Sequence, residues 1–205
     1  MAIRLRSTLL SAAFMVMSAG LARAEIAAVA VETKTAPRYE IEAMTGVLWS
    51  VGGGATPLSY TVLPQIFSLK IPPVGERPLW GGTLMMRSHF SLLIEPIVRG
   101  PEHSFLGVAA AGELEWRNAS ERGAAFFAAG GGVGWLDSKG YEVPGGQGQD
   151  FNLNWLMHAG ARYRLKEAWV VSLGLYFQHV SNRGMDKVNP GLNALGPMVG
   201  LAKRF

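Results

Sequence analysis

The sequence predicts an all-β protein, an eight-stranded antiparallel transmembrane β-barrel behind an export segment. Three observations predict it. The chain opens on the pattern of a secretory signal peptide. The remainder divides into eight runs of about ten or more loosely alternating residues, each closed by turn formers. Aromatic residues gather at the ends of those runs, as in the interfacial girdles of membrane barrels.

The export segment comes first. Arg4 and Arg6 make a basic start, Leu9 to Leu21 is apolar, and Ala22-Arg23-Ala24 is a small-x-small cleavage signal. The expectation is a signal peptide over residues 1–24, with Glu25 first in a single mature domain of residues 25–205. The apolar part is too short for a membrane helix, and no later stretch is long and apolar enough for one. Removing residues 1–24 takes away three arginines and no acid, so the formal charge falls from +4 to +1. The high pI therefore gives no reason to expect a nucleic-acid partner. The absence of cysteine excludes disulfides, thiolate chemistry and cysteine zinc sites. An exported chain without disulfides needs another source of order, and a closed sheet, which leaves no edge unpaired, supplies it.

The eight runs cover residues 39–51, 58–70, 80–98, 104–117, 123–136, 151–165, 168–181 and 193–205. Gly52-Gly53-Gly54, Pro72-Pro73, Gly100-Pro101, Asn118, Gly145-Gly146 and Asn189-Pro190-Gly191 separate them. The third run is the longest and contains Pro96, which predicts that its upper part leaves the sheet. Gly130-Gly131-Gly132 and Gly134 would weaken an exposed strand but relieve crowding in a narrow barrel. Trp49, Trp80, Trp116, Trp135, Trp155 and Trp169 mark run ends. The last run alternates Leu195, Pro197, Val199 and Leu201 with smaller residues and ends on Phe205, like the C-terminal strand of bacterial outer-membrane proteins.

The seventh run carries the candidate chemistry. Side chains i and i+2 share a strand face, so His179 and Ser181 project with Trp169, Val171, Leu173, Leu175 and Phe177. In a membrane barrel that apolar stripe faces lipid, and the pair faces lipid with it. With both termini periplasmic, odd strands run outward, and the pair lies at the outer-leaflet interface. Asn193, at the start of the returning eighth strand, shares the register of Leu195, Val199 and Leu201 and faces outward nearby. A serine hydroxyl becomes a good nucleophile when a neighbouring base takes its proton, and histidine is the usual base. A third polar group normally orients the imidazole. Asn182, Gly184 and Asn189 in the connecting loop could supply oxyanion donors. A substrate ester held in the leaflet would reach this site by lateral diffusion.

The other ionisable residues read as structural. His158, mid-strand in the sixth run, is expected to face inward with a hydrogen-bonded role, and His89 and His103 have no evident partner. Glu95, Glu113 and Glu115 read as lumen residues. Arg162, Arg164 and Lys166 read as solvating a periplasmic turn. No P-loop, dinucleotide fingerprint or metal-ligand spacing appears, so no cofactor and no metal is expected.

The motif His179-Val180-Ser181-Asn182-Arg183-Gly184, followed by Asn189-Pro190-Gly191-Leu192-Asn193 and a terminal strand, resembles the PagL-like lipid A 3-O-deacylase family. The close match covers about the last 30 residues, and the rest agrees by architecture. The resemblance implies an outer-membrane esterase that removes the 3-O-linked 3-hydroxyacyl chain of lipid A, the lipopolysaccharide anchor in the outer leaflet. It implies Ser181 as nucleophile, His179 as general base, and Asn182, Gly184 and Asn189 as oxyanion or loop-shaping residues. The family's acidic triad member falls on Asn193, which is a departure. An asparagine orients an imidazole but cannot stabilise the imidazolium by charge. In a serine protease the same exchange lowers turnover about 10⁴-fold. Asp186, in the same loop, is the alternative acid. Two other readings stay open: a catalytically weak or non-enzymatic barrel on this scaffold, or another lipid-modifying enzyme such as a phospholipase. A homodimer is also left open.

Overall fold

Alternation drives the architecture. In the computed structural model, which describes residues 39–51, 59–166 and 168–205, eleven strand segments pair in one antiparallel sheet. They are β1 (Glu40–Gly46), β2 (Leu48–Ser50), β3 (Thr61–Val62), β4 (Gln65–Lys70), β5 (Gly75–Leu79), β6 (Gly82–Arg99), β7 (Ser104–Arg117), β8 (Gly123–Leu136), β9 (Phe151–Arg164), β10 (Trp169–Ser181) and β11 (Leu192–Arg204). β1 with β2, and β3 with β4 and β5, each make one stave, so the segments form eight. β1 pairs with both β4 and β11, Glu40 standing opposite Arg204, and this closes the barrel. Closure gives every stave a partner on both sides, as a hydrocarbon environment requires, and among the described residues only the β5 end of the second stave is paired on one side alone. Both described ends of the barrel lie at one rim, called here the terminal rim. The proposed signal segment and the Gly52-Gly53-Gly54 separator lie outside the described residues.

Two sequence expectations are corrected. Pro72-Pro73 does not end the second stave. Ile71 N donates to Ser88 O (3.0 Å) and Val74 N to Met86 O (2.9 Å), so the ladder passes the prolines and continues into β5. The chain reverses instead at Trp80 and Gly81, whose φ values of 50° and 71° make the left-handed pair of a two-residue hairpin turn. Pro96 does not carry the top of its run out of the sheet, because β6 continues to Arg99. The proline carbonyl accepts from Leu63 N (2.8 Å) between β3 and β4, where the neighbouring stave is itself interrupted, so its missing N–H disrupts no regular ladder. The glycine expectation holds: a Cβ on Gly130 or Gly132 would collide with the β7 backbone at Ala110 and Val108.

The lumen is filled. Toward the terminal rim it holds Glu40, Glu42, Lys70, Arg87, Glu113, Glu115 and Arg162, all buried. Lys70 Nζ donates to Glu42 (2.7 Å) and Glu113 (3.2 Å); Arg87 reaches Glu113 (2.9 Å) and Glu115 (2.7 Å); Arg162 pairs with Glu113 (2.6 Å) and with Glu115. The Arg162 guanidinium also lies 4.1 Å from the Phe126 ring centre. Arg162 thus belongs to the interior and not to a solvated turn. Above this network Leu48, Ile66, Leu93, Phe105, Leu156, Val180 and Met198 pack together, and Gln178 Nε2 donates to Glu95 (2.9 Å), which lies in the lumen as expected. His158 faces inward as expected, but it sits in an aromatic box of Phe126 and Tyr176, and its Nε2 has no hydrogen-bond partner among the described residues.

Candidate active site

β10 lies between β9 and β11, and its register fixes the site. His179 stands opposite Trp155 on one side and Asn193 on the other. Leu173 and Leu175 are 61% and 58% exposed on the outer face, while Tyr176, Gln178 and Val180 are 2%, 3% and 0% exposed on the inner face. His179 and Ser181 fall in the outward register and are half-buried. They occupy the end of β10 remote from the terminal rim. The aromatic girdle flanks them, with the Trp155 ring 5.9 Å from the imidazole and 5.0 Å from Phe177.

The three outward polar side chains form one chain of hydrogen bonds. Ser181 Oγ lies 3.0 Å from His179 Nε2, and His179 Nδ1 lies 2.7 Å from Asn193 Oδ1. An amide oxygen only accepts, so Nδ1–H donates to Asn193. Nε2 is then the unprotonated nitrogen and accepts from the serine hydroxyl. Both distances fall within the range of about 2.6–3.2 Å in which a base can take a nucleophile's proton. The cross-strand position of Asn193 therefore selects the imidazole tautomer that a general base needs.

The loop after β10 is organised by one buried amide. Asn182 is fully buried. Its Nδ2 donates to Val188 O (2.9 Å), its Oδ1 accepts from Gly184 N (2.9 Å), and its backbone N–H donates to Asn189 Oδ1 (3.0 Å). Gly184 has φ 80°, a left-handed conformation natural to glycine. The donors of Asn182 and Gly184 are thus used within the loop, which gives these three residues a loop-shaping geometry.

Asp186 is placed elsewhere. Its carboxylate accepts from the Tyr141 hydroxyl (2.9 and 3.1 Å) and from Val188 N (2.8 Å), not from His179. It ties the β10–β11 loop to the β8–β9 loop, where Gly148 N also donates to Val188 O (3.0 Å). A second tie closes the same end of the barrel. Glu102 accepts from the Tyr60 hydroxyl (2.6 Å) and from Gln147 N (2.6 Å). Burial and the Glu102 carboxylate together push the Tyr60 hydroxyl above its ordinary value. His103 has a partner that sequence reasoning missed, Asp137, at 2.5 Å. Burial raises the Asp137 carboxyl, but the His103 ring and the N–H groups of His103 and Ser104 outweigh it and hold the carboxyl below the usual range. These loop ties join residues far apart in sequence, and no periodicity signals them.

Comparison with known proteins places the chain. A family model described as Lipid A 3-O-deacylase (PagL) matches residues 69–202, well over half of the chain. Among solved structures, the outer membrane enzyme PagL superposes with a TM-score of 0.51 at 16% identity, over 78% of this chain and 97% of that one. Neisserial surface protein A superposes with a TM-score of 0.54 at 11% identity, over 82% and 97%. At such identities these two likenesses speak for the barrel fold. No curated protein matches in sequence.

Proposed function

We propose a mechanism from one premise: the chain belongs to the lipid A 3-O-deacylase (PagL) family. The reading is an outer-membrane esterase that hydrolyses the 3-O-linked acyl ester of lipid A. Ser181 Oγ attacks the ester carbonyl carbon as His179 Nε2 takes its proton. The tetrahedral intermediate collapses, the bond between the acyl carbon and the sugar 3-oxygen breaks, and the imidazolium gives its proton to that departing oxygen, leaving a free 3-hydroxyl. Water, deprotonated by the same imidazole, then attacks the acyl-serine and releases the hydroxy fatty acid. Asn193 positions the ring throughout. Asn182, Gly184 and Asn189 shape the loop that borders the reacting carbonyl.

The observation that carries this reading is the Ser181–His179–Asn193 chain on the outward face, at 3.0 and 2.7 Å. A site on that face meets lipid A where the lipid resides, and the filled lumen is not needed as a route. The test is mass spectrometry of lipid A from membranes that contain the chain. One 3-hydroxyacyl group per molecule should be lost, and Ser181→Ala and His179→Asn should insert normally yet leave lipid A intact. Variants that deacylate like the parent would defeat the assignment. The alternative of a catalytically silent barrel draws on Asn193, and it is the outcome if the parent itself leaves lipid A unchanged. Release of fatty acid from phospholipid instead would indicate a phospholipase.

A further inference from the structure

Arg183 holds a backbone conformation that suits glycine better. Its φ is 54°, in the left-handed region that L side chains disfavour. Gly184 follows it with φ 80°. The buried Asn182 side chain fixes this bend through its bond from Gly184 N at 2.9 Å. The bend leaves the Arg183 side chain exposed just beyond the nucleophile. Ser181 and Arg183 are two residues apart, so their Cα atoms lie within about 7 Å, comparable to the reach of an arginine side chain.

Charge compensation is missing at this point. No carboxylate pairs with Arg183 among the described residues. The one acid of the loop, Asp186, is held by the Tyr141 hydroxyl and Val188 N. Lys187 adds a second exposed cation. The lumen arginines Arg87 and Arg162 are, by contrast, matched to carboxylates. Strained non-glycine residues concentrate where function demands the side chain. An exposed guanidinium beside an ester-cleaving serine suits a phosphate, which its planar fork binds bidentately.

We propose that Arg183 binds a phosphate of the glycolipid substrate and thereby selects phosphorylated lipid A for presentation to Ser181. This rests on the deacylase reading above. Lipid A carries phosphate on its glucosamine disaccharide, so ester and phosphate arrive at the site together. Arg183 acts as a binding and specificity residue and takes no part in proton transfer.

The test separates this proposal from the esterase reading. In a Ser181→Ala background, binding of lipid A to the full barrel in detergent is followed by tryptophan fluorescence, with Trp155 beside the site. Adding Arg183→Gly should weaken binding of phosphorylated lipid A about tenfold and of dephosphorylated lipid A less than twofold. Arg183→Lys should recover part of the loss. Glycine relieves the backbone strain, so a loss with Arg183→Gly reflects the side chain and not misfolding. The proposal is overturned if Arg183→Gly binds phosphorylated lipid A as before, or loses equally on both lipids. It is also overturned if phosphatidylglycerol at equal concentration abolishes the discrimination, which would mark a general headgroup contact. Phosphate-dependent binding by a parent that never hydrolyses would overturn the esterase reading alone. Hydrolysis without phosphate discrimination would overturn this proposal alone.

Discussion

Inside the barrel, toward the terminal rim, Arg162 touches Glu113 and Glu115, and Lys70 joins Glu42 to Glu113. On the outer wall at the far rim, His179 touches one hydroxyl and one amide. The first region holds most of the buried charge, and its side chains are almost wholly shielded from solvent. Its ions are matched against one another, so each keeps its charge and its place. Among the described residues the hydrogen-bonded chain of the second region joins a hydroxyl, an imidazole and an amide, the arrangement that proton transfer from serine to imidazole needs. A count of ionisable residues would have pointed to the lumen. Accessibility and a neutral, oriented proton path point to the wall.

The largest effect expected from this contrast is catalytic. Ser181→Ala should lower deacylation by about 10⁴-fold or more, in line with removal of a nucleophile from a working triad. Its unfolding midpoint in urea, measured in detergent or lipid vesicles, should stay near that of the parent. A comparable loss of activity per folded molecule from a lumen substitution would erase the distinction between the two regions.

Arg162→Met should do the reverse. It removes one of the two guanidinium groups that Glu113 and Glu115 share, leaving Arg87 alone between them, and removes the contact with Phe126. Breaking a buried ion pair on one side costs about 3–5 kcal/mol. The urea midpoint should drop accordingly, while activity per folded barrel is retained. An unchanged midpoint would mean that the network contributes little to stability.

Asn193→Asp should sharpen the comparison by placing one charge in the neutral chain. The side chain is isosteric, so the 2.7 Å bond to Nδ1 is preserved and the imidazolium gains a counter-ion. Turnover should rise about ten- to hundredfold, or about 1.4–2.7 kcal/mol of barrier, inside the 10⁴-fold that separates the two residues in a serine protease. Turnover equal to or below the parent's would show that the site is adapted to the amide.

Much of this was legible in the chain because a strand has period two. The outward stripe from Trp169 to Phe177 sets the face of His179 and Ser181, and Asn193 follows from the same count in the last run. The same count would have placed Arg162, which shares the parity of His158 and Asn154, inside the barrel. Its proximity to the turn residues Arg164 and Lys166 obscured that. Prolines misled where local rules assume an intact neighbour. Pro96 keeps its place because the adjacent stave is already interrupted at Leu63, which is a tertiary fact. The loop ties of Asp186, Glu102 and Asp137 depend on which loops meet above the lumen, and no local pattern encodes that meeting.

Those loop ties give the smallest expected effect, one that separates the loops from the wall beneath them. Against the opposing effect of burial, the Asp137 carboxyl is held below the usual carboxylate range by the His103 ring and by backbone N–H groups. A carboxyl depressed in the folded state contributes stability that is fully present above its unfolded value. That contribution is lost as pH falls through the folded value. The junction between the start of β7 and the end of β8 should therefore loosen on acidification below about pH 4. Asp137→Asn should show the looser state at every pH. Limited proteolysis or amide exchange at residues 100–104 and 137–139 reads the change, and the ladder of β10 and β11 serves as the internal control. Equal acid sensitivity in the Asn variant and the parent would show that another group governs the loop.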